Sequence, residues 1–276
     1  MTPAEKQARL AKLYDTEILP AYAARFGALL AHAVEVRPAA RVVEIGCATG
    51  AFTWELARRF DLASQVTAFD ASPAFVSEAS ARIEAEAAPH AGVALFAHPE
   101  IPASIPRGDR TADLVVSNLA VASAADPPAA VKEAARLLVP GGQLVLSAPL
   151  RGTWVEFLDL FREVLRENGK QESVTAVDRY VAALPDGEAV GRWLEQAGLQ
   201  QVEITAARWE ILFRSAREFF FAPLIELGPL AHWKRLSGRG DQMQDVFFFT
   251  KEAIDTYFKD RVFAVTIAGA AVSGRK

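Results

Sequence analysis

Near its N-terminus the chain carries the stretch Val42-Val43-Glu44-Ile45-Gly46-Cys47-Ala48-Thr49-Gly50. A short β-branched run enters a turn with two glycines, and helical spacing of apolar residues begins near Phe52. Glycine allows a tight turn and a close approach of the backbone to a ligand, because it has no Cβ. The N-terminus of the following helix adds free N–H groups and a partial positive charge. The stretch predicts a strand–turn–helix unit that either binds a ligand or is an ordinary tight turn.

The glycine spacing separates this turn from two common nucleotide-binding loops. Gly46 and Gly50 have Ala48 midway between them, which is not the three-glycine dinucleotide signature. No Lys-Ser or Lys-Thr pair follows Gly50, so the turn is not a P-loop either. A dehydrogenase built on the same kind of sheet is therefore disfavoured.

Outward from this turn, short apolar runs alternate with helical stretches. The predicted strands are 41–45, 65–69, 93–96, 114–117 and 143–147, and the predicted helices are 52–60, 74–86 and 128–138. Strands that alternate with helices indicate βαβ units and a parallel sheet. Because such crossovers are right-handed, we predict an α/β, Rossmann-like, doubly wound sheet.

Further helices and two late strands flank this alternation. Residues 3–34 predict a helix that Pro20 should break or kink. The C-terminal half predicts helices at 154–168 and 188–196, an extended segment at 202–213, a helical insertion at about 215–259 and a strand at 261–272. The sheet should therefore have seven strands, mostly parallel, with the last one antiparallel.

These patterns suggest three parts of the chain. We expect residues 1–37 to form an N-terminal helical cap and residues 38–150 to form the ligand-binding core. Residues 151–276 should complete the sheet and supply a helical substrate cap from the insertion at about 215–259.

The composition excludes several classes of protein. Among 276 residues, 30 Lys and Arg face 34 Asp and Glu, and the net charge of −4 argues against a nucleic-acid partner. The single cysteine excludes an intramolecular disulfide and suits a reducing compartment, so we expect a cytoplasmic location. No run of about 18 apolar residues is present to predict a membrane span. The first ten residues lack the apolar core of a signal peptide. Four scattered histidines predict no metal site.

Three more segments carry signals in the same order along the chain. Asp70 ends the second predicted strand, where a carboxylate can accept hydrogen bonds from both hydroxyls of a ribose. Asp70 or Ser72 could instead cap the helix that follows, with Pro73 at its first position. The fourth strand ends in polar residues over 113–118, and 137–146 reads as a helix end, a Pro-Gly-Gly turn and the fifth strand.

Taken together, these four elements resemble class I S-adenosylmethionine-dependent methyltransferases over roughly residues 38–150. The resemblance implies S-adenosylmethionine as cofactor and S-adenosylhomocysteine as product. Glu44 would lie near the amino group of the cofactor, Asp70 would bind its ribose, and Ser117 and Asn118 would face the methyl donor. The implied cofactor-binding set is Glu44, Gly46, Cys47, Ala48, Gly50, Phe69, Asp70, Ala71, His98, Ser117 and Asn118.

The chain departs from the family pattern at two places. The middle glycine of the glycine-rich motif is replaced by Ala48. Many relatives have Gly-Asp-Ala after the third strand, where the Asp accepts from the adenine amino group. Here that stretch reads Ala97-His98-Pro99-Glu100, so His98 stands at about the position of the Asp.

The C-terminal half resembles, more loosely, the malonyl-carrier-protein O-methyltransferases. The similarity lies in residues 151–157 and in the aromatic insertion. It implies a small-molecule acceptor, such as a carboxylate or a carrier-linked acid. Tyr14, Tyr22, Trp154 and His232 are the candidate substrate-binding residues.

The sequence therefore predicts methyl transfer to a small molecule, and no catalytic residue is assigned. A sulfonium is already activated, so the protein mainly aligns the reactants and excludes water. A general base is needed only if the nucleophile carries a proton of high pKa. The alternative hypothesis is a methyltransferase-like protein that binds or scaffolds without catalysis. A nucleic-acid methyltransferase is disfavoured, because Leu119 follows Asn118 where an Asn/Asp-Pro-Pro-Tyr/Phe motif would require proline.

Overall fold

The computed structural model describes residues 2–86, 90–259 and 261–276. Its strands are β1 (Arg41–Ile45), β2 (Gln65–Asp70), β3 (Gly92–Ala97), β4 (Ala112–Asn118), β5 (Leu138–Pro149), β6 (Gln200–Phe213) and β7 (Phe263–Arg275). Over these described ranges they form one seven-stranded sheet in the order β3-β2-β1-β4-β5-β7-β6.

The strand pairing is that of a Rossmann-like sheet. β1 pairs in parallel with β2 and β4, β2 with β3, and β4 with β5. β7 runs antiparallel to β5, and β6 lies beside β7 at the edge. The predicted α/β fold with a mostly parallel sheet is confirmed. The carboxyl ends of β1, β2 and β4 therefore lie at one edge, where open α/β sheets bind ligands.

Helices connect and flank the strands. Those of the described residues are α1 (Pro3–Leu13), α2 (Ala24–Ala33), α3 (Ala51–Arg59), α4 (Pro73–Glu84), α5 (Pro127–Leu137), α6 (Val155–Glu167), α7 (Gln171–Ala183), α8 (Gly187–Gln196), α9 (Ala216–Phe221), α10 (Pro223–Glu226), α11 (Leu230–Leu236) and α12 (Asp241–Tyr257). The last four lie between β6 and β7 along the chain, as predicted for the helical insertion. That this insertion caps a substrate stays a prediction.

Pro20 changes the helix type without ending the helix. Tyr14–Ala23 is a π-helical segment that continues α1 into α2, because Leu13 and Ala24 both keep right-handed helical angles. Proline has no N–H and its ring clashes with the preceding turn, so an ordinary α-helix would lose a hydrogen bond there. The wider π turn accommodates Pro20. The predicted break at Pro20 is therefore wrong, because the helix continues through the proline as a wider π-helical turn.

Two elements differ from the sequence-based prediction. The Pro-Gly-Gly segment lies within β5, which begins at Leu138 directly after α5, and the pairing of β5 with β4 shifts register there. Helix α7 was not predicted. Only Val174 and Val177 of α7 are buried, so its apolar face is too narrow to give a clear helical pattern.

The described residues divide into two compact units with separate cores. The first unit comprises 1–149, 187–206 and 269–276, and the second comprises 150–186 and 207–268. Leu30, Val42, Leu56, Val116 and Val145 are among the residues that α2, α3 and the sheet bury in the first unit. The predicted division at residues 37 and 150 stays a prediction.

Aromatic side chains fill the core of the second unit. The ring of Phe157 lies 4.1 Å from that of Trp233 and 5.1 Å from that of Phe219. Phe219 also meets Phe263 at 5.2 Å. These bulky side chains explain the aromatic composition of the C-terminal half as core packing. No helix in the described part of the chain is both long and apolar enough to cross a membrane.

Gly50 joins the β1 turn to α3 under two separate constraints. Its φ of 78° is left-handed, which residues with a Cβ adopt only with strain. A Cβ at Gly50 would also lie 2.8 Å from the Cβ and 2.9 Å from the Cα of Ala79 in α4. Gly141 has nearly the same φ, 77°, but a Cβ there would meet nothing within 4 Å.

We therefore expect Gly50→Ala to destabilise the protein more than Gly141→Ala. The control substitution adds only backbone strain, which costs about 1–2 kcal/mol. Gly50→Ala adds a collision with a helix backbone, for which overpacking costs about 1–3 kcal/mol more. Urea unfolding measures both free energies. Equal losses for the two variants would contradict the packing argument.

Candidate functional site

The turn after β1 is fastened to the end of β2 by its backbone. The N–H groups of Gly46 and Cys47 both donate to the carbonyl of Phe69, at 2.7 and 3.0 Å. Gly46 has a φ of 80°, and a Cβ there would lie 2.1 Å from the Cβ of Ala120. The glycine at position 46 is therefore required by the turn and by the loop after β4.

Asp70 holds the same turn from the tip of β2. Its Oδ2 accepts from the N–H of Ala48 and its Oδ1 from the N–H of Ser72, both at 2.9 Å. Burial raises the pKa of Asp70, and these backbone hydrogen bonds oppose the shift. Ser72 caps α4 through the N–H of Phe75, so Asp70 is not the cap residue of that helix.

Glu44 is a buried carboxylate with one unused oxygen. Its exposed fraction is 1%, and its Oε2 accepts from Oγ1 of Thr53 at 2.6 Å. Its Oε1 is buried and has no hydrogen-bond partner among the described residues. Burial raises the pKa of Glu44 to about 7; the Thr53 hydrogen bond lowers it and the charge of Asp70 raises it further. A buried acceptor without a donor is costly, which favours a ligand that supplies one.

The first unit contains a cavity of about 460 Å³ that reaches Glu44. The predicted residues Tyr14, Glu44, Gly46, Cys47, Ala48 and Asn118 line it. Residues that the sequence analysis did not single out also line it: Leu19, Ala23, Ala24, Gly27, Ala28, Ala31, His32, Thr49, Ala51, Phe52 and Glu55. The available signal was the recurrence of alanine and glycine at three- and four-residue steps along α2.

The first unit also contains a second cavity, of about 760 Å³. Asp70 and Ala71 line it, together with residues of α1 and the start of α4.

Hydrogen bonds and a ring contact hold the π-helical segment beside the β1 turn and α4. Oγ1 of Thr49 donates to Asp15 at 2.7 Å, and Asp15 also pairs with Arg82 of α4 at 2.5 Å. The ring of Tyr14 packs on Phe75 at 5.3 Å.

The two polar residues at the end of β4 have different surroundings. Asn118 lines the cavity; its Nδ2 donates to the carbonyl of Ala23 and its Oδ1 accepts from Oγ of Ser147. Ser117 is fully buried and lines neither cavity. Its hydroxyl donates to the carbonyl of Ile45 and accepts from the N–H of Val121. Successive side chains of a strand point to opposite faces, so of the two only Asn118 lines this cavity. That Ser117 and Asn118 face the methyl donor stays a prediction.

Four other predicted residues of the first unit line neither cavity. Gly50 packs on Ala79. Phe69 is buried in β2, with its ring 5.5 Å from that of Phe96. Tyr22 packs its ring on Phe26 at 4.9 Å. The N–H of His98 donates to the carbonyl of Asp70 at 2.8 Å, and its Nδ1 is buried without a partner in the described chain.

Trp154 and His232 belong to the second unit. Trp154 is buried and is the N-cap residue before α6, with a φ of 65°, and its ring lies 6.1 Å from that of Trp233. The ring of His232 lies 4.7 Å from that of Tyr180. Burial lowers the pKa of His232, and the charge of Arg235 lowers it further. Their predicted contact with substrate stays a prediction.

Cys47 is a packed residue of the turn. It is buried, and burial raises the pKa of its thiol, with the charges of Glu44 and Asp70 adding to the shift. A thiol of raised pKa stays protonated and is a weak nucleophile. Among the described residues, no three potential metal ligands converge.

Comparisons with known proteins find similarity to methyltransferases. Residues 43–146 match the family model described as a methyltransferase domain. The chain is 32% identical over 148 residues to the malonyl-[acyl-carrier protein] O-methyltransferase of Hahella chejuensis. That alignment covers 54% of this chain and 48% of the relative, so the chain spans about half the length of this curated protein.

Two solved structures share the fold at low identity. BH2331 of Bacillus halodurans C-125, provisionally described as a methyltransferase, has a TM-score of 0.57 and 18% identity, covering 91% of this chain and 98% of that one. Phosphoethanolamine N-methyltransferase 2 of Haemonchus contortus, solved with phosphomonomethylethanolamine and S-adenosylhomocysteine, has a TM-score of 0.52 and 15% identity. The match covers 91% of this chain and 52% of the nematode protein. Residues 43–146 of this chain thus match a methyltransferase domain, and the chain shares its fold with both of these solved structures.

Proposed function

We propose that this chain transfers the methyl group of S-adenosylmethionine to a small molecule. The observation that carries the proposal is the unpartnered Oε1 of Glu44, a residue that lines the cavity. The amino group of the cofactor is a cation with N–H donors, and it supplies both the charge and the hydrogen bond that this oxygen lacks. The match of residues 43–146 to a methyltransferase domain supports the same assignment.

The residues present fit the cofactor at both ends. Glu44 would hold the amino group. Asp70 would hold the ribose hydroxyls, because its carboxylate lines a cavity and offers about four lone pairs, more than its backbone hydrogen bonds from Ala48, Ala71 and Ser72 use. Ala71 beside Asp70 and His98 after β3 would adjoin the adenosine. When bound, S-adenosylmethionine supplies an activated methyl group on a positively charged sulfur. The negative charges of Glu44 and Asp70 favour a cationic ligand in this part of the site.

The chain itself contributes positioning and exclusion of water. Tyr14, Leu19 and Ala23 of the helical N-terminus line the same cavity as Gly46 and Ala48. Burial raises the pKa of Tyr14, with the charges of Asp70 and Glu44 adding to the shift, so its hydroxyl stays protonated and can donate a hydrogen bond. No side chain is assigned as a general base, and a carboxylate acceptor would need none.

The acceptor is proposed to be a small molecule, and a carboxylate or carrier-linked acid is the class that fits the comparisons. The Hahella chejuensis relative, whose name places its substrate on an acyl-carrier protein, supports that class. The cytoplasmic location and the expectation of no metal or nucleic-acid partner stay predictions.

Titration calorimetry with S-adenosylhomocysteine tests the proposal. We expect micromolar binding by the native chain and at least a tenfold loss in Asp70→Ala, because the ribose loses its acceptor. Asp61→Ala is the control, since Asp61 also accepts from a backbone N–H, that of Ala39, and lines neither cavity. It should leave the affinity unchanged. Absence of heat from a folded native chain would contradict the proposal and favour a protein that binds or scaffolds without this cofactor.

The pKa of Glu44 makes the affinity depend on pH. Below about pH 7 free Glu44 holds a proton that must leave before the carboxylate can pair with the amino cation. Affinity for S-adenosylhomocysteine should therefore fall as pH is lowered from 7 to 5, approaching about tenfold per pH unit. The ligand amino group stays charged over this range.

Two variants isolate the Glu44 effect in the same titrations. Glu44→Gln should bind weakly and with little dependence on pH, because it has no proton to release. Glu55→Gln is the matched control, since Glu55 lines the same cavity but is half-exposed and already paired with Arg58. It should keep the native pH profile. A flat profile in the native chain would overturn the assignment of Glu44 to the amino group.

Ala48 tests whether the departure from glycine impairs the turn. Its φ of 48° is left-handed, where alanine is strained by about 1–2 kcal/mol. We expect Ala48→Gly to raise the free energy of unfolding by up to about 1 kcal/mol. Ala81→Gly in α4, at an ordinary exposed helix position, should lower it by about 0.5–1 kcal/mol. Urea unfolding distinguishes the two signs, and a loss of stability in both variants would contradict strain at Ala48.

A further inference from the structure

The second unit contains a cavity of about 220 Å³ that the proposed function does not use. It lies between the connection from β6 to α9 and the end of α12 with its connection to β7. Its lining residues are Arg214, Ser215, Ile254, Asp255, Phe258, Lys259, Arg261 and Phe263. A water molecule occupies about 30 Å³ in the liquid, so the cavity has room for a ligand of several heavy atoms.

Backbone hydrogen bonds and a ring contact hold the two sides of this cavity. The N–H of Ala216 in α9 donates to Oδ1 of Asp255 in α12 at 3.0 Å. After α12, the N–H of Arg261 donates to the carbonyl of Phe258 at 2.9 Å, and the ring of Phe258 lies 4.9 Å from that of Phe263. These contacts fix the backbone on both sides, so the positions of the lining residues are set by the fold.

The lining carries a net charge of +2, because three cationic side chains face one carboxylate. Both oxygens of that carboxylate are already engaged. Oδ1 of Asp255 accepts from the N–H of Ala216, and Oδ2 accepts from Nζ of Lys251 at 3.0 Å. Lys251 therefore offsets the charge of Asp255, and the cations of the lining determine the local potential.

The three cations have little to neutralise them. Nε of Arg214 lies 4.0 Å from Oε1 of Glu218, and the Arg214 side chain is 90% exposed, so this ion pair is weak. Within the described ranges, no side-chain hydrogen bond or ion pair engages Lys259 or Arg261. Asp260, between them in the sequence, lies outside those ranges. A cavity lined by charges of one sign concentrates counter-ions.

We infer that this cavity binds a phosphate dianion, either inorganic phosphate or the phosphate group of a small ester. A phosphate monoester carries a charge of about −1.5 to −2 at pH 7, which matches the net charge of the lining. Guanidinium groups bind phosphate through paired hydrogen bonds, and an ammonium group binds it as a point charge. Oγ of Ser215 accepts from the N–H of Glu218 at 3.1 Å and keeps its own proton to donate.

Phosphate binding here is independent of the proposed function. The two cavities of the first unit share no lining residue with this one. S-adenosylhomocysteine should therefore bind equally well to the native chain and to variants of this cavity.

Two probes of nearly the same shape test the match of charge. Methyl phosphate is mostly a dianion at pH 7.5, because its second pKa is about 6, whereas methyl sulfate carries a single charge. Saturation-transfer NMR on the methyl protons, at constant ionic strength, gives both dissociation constants. We expect methyl phosphate to bind about fivefold or more tightly than methyl sulfate. Displacement by inorganic phosphate distinguishes the two sources: equal affinity indicates the free ion, and weaker affinity of inorganic phosphate indicates an ester.

Substitutions of exposed cations locate the binding. Arg261→Gln should weaken methyl phosphate about tenfold, and Lys259→Gln about fivefold, because each removes a charged donor. Arg261→Lys keeps the charge and should lose only about threefold. Arg239→Gln is the matched control, since Arg239 is exposed in the same unit and lines none of the three cavities named above. It should leave the affinity unchanged. Urea unfolding verifies that each variant is folded.

Several results would overturn the inference. Native chain that does not bind methyl phosphate, or binds methyl sulfate equally well, contradicts a dianion site. Folded Arg261→Gln and Lys259→Gln variants with native affinity place the binding elsewhere. Equal losses in Arg261→Gln and Arg239→Gln show that binding follows the overall charge and not this cavity.

Discussion

The hydrogen bonds that tie the β1 turn to the tip of β2 are the constraint on which the site depends. One carbonyl, that of Phe69, accepts from two successive N–H groups of the turn, and the Asp70 carboxylate accepts a third from Ala48. These bonds fix a backbone with left-handed angles at Gly46, Ala48 and Gly50. Because β1 and β2 are parallel neighbours, the turn and the carboxylate come together as soon as the two strands pair.

The same arrangement concentrates negative charge in a buried place. Burial raises the pKa of both Glu44 and Asp70, and neither has an arginine or lysine as a described hydrogen-bond partner. A structure that needs only stability gains little from such a pair, since burying a carboxylate is costly without a counter-charge. A bound cation supplies the missing counter-charge and offsets this cost. The buried carboxylates that destabilise the free protein therefore increase its affinity for a cationic ligand.

The sequence was sufficient for the sheet and for the turn, and less so for the rest of the site. Short apolar, β-branched runs are local patterns, and they predicted strands β1 to β5. The position of Asp70 at the end of β2 could be read from the sequence in the same way. Residues of α2 line the cavity because the π-helical segment turns one particular face of α2 inward. Local helix propensity does not determine that rotation. Ser117 and Asn118 both belong to the polar end of β4, but adjacent strand residues face opposite ways, and only Asn118 lines the cavity. Helix α7 has no clear apolar stripe in the sequence, because its stability comes mainly from packing against its neighbours. The sequence pattern therefore does not predict it.

The π-helical segment sets the angular phase of the N-terminal helix. Each residue of an α-helix is rotated by about 100° about the helix axis relative to the one before it. A segment with a different number of residues per turn therefore changes the direction of all the side chains that follow it. Ahead of Pro20, α1 packs on α4; after it, α2 packs on α3, β4 and β5 and turns its alanines and Gly27 towards the cavity. The π-helical turn at Pro20 therefore determines which face of α2 is turned towards the core. One residue more or fewer between Tyr14 and Ala23 would rotate α2 about its axis. Phe26 and Leu30 would then leave the core, and the alanines and Gly27 would no longer face the cavity.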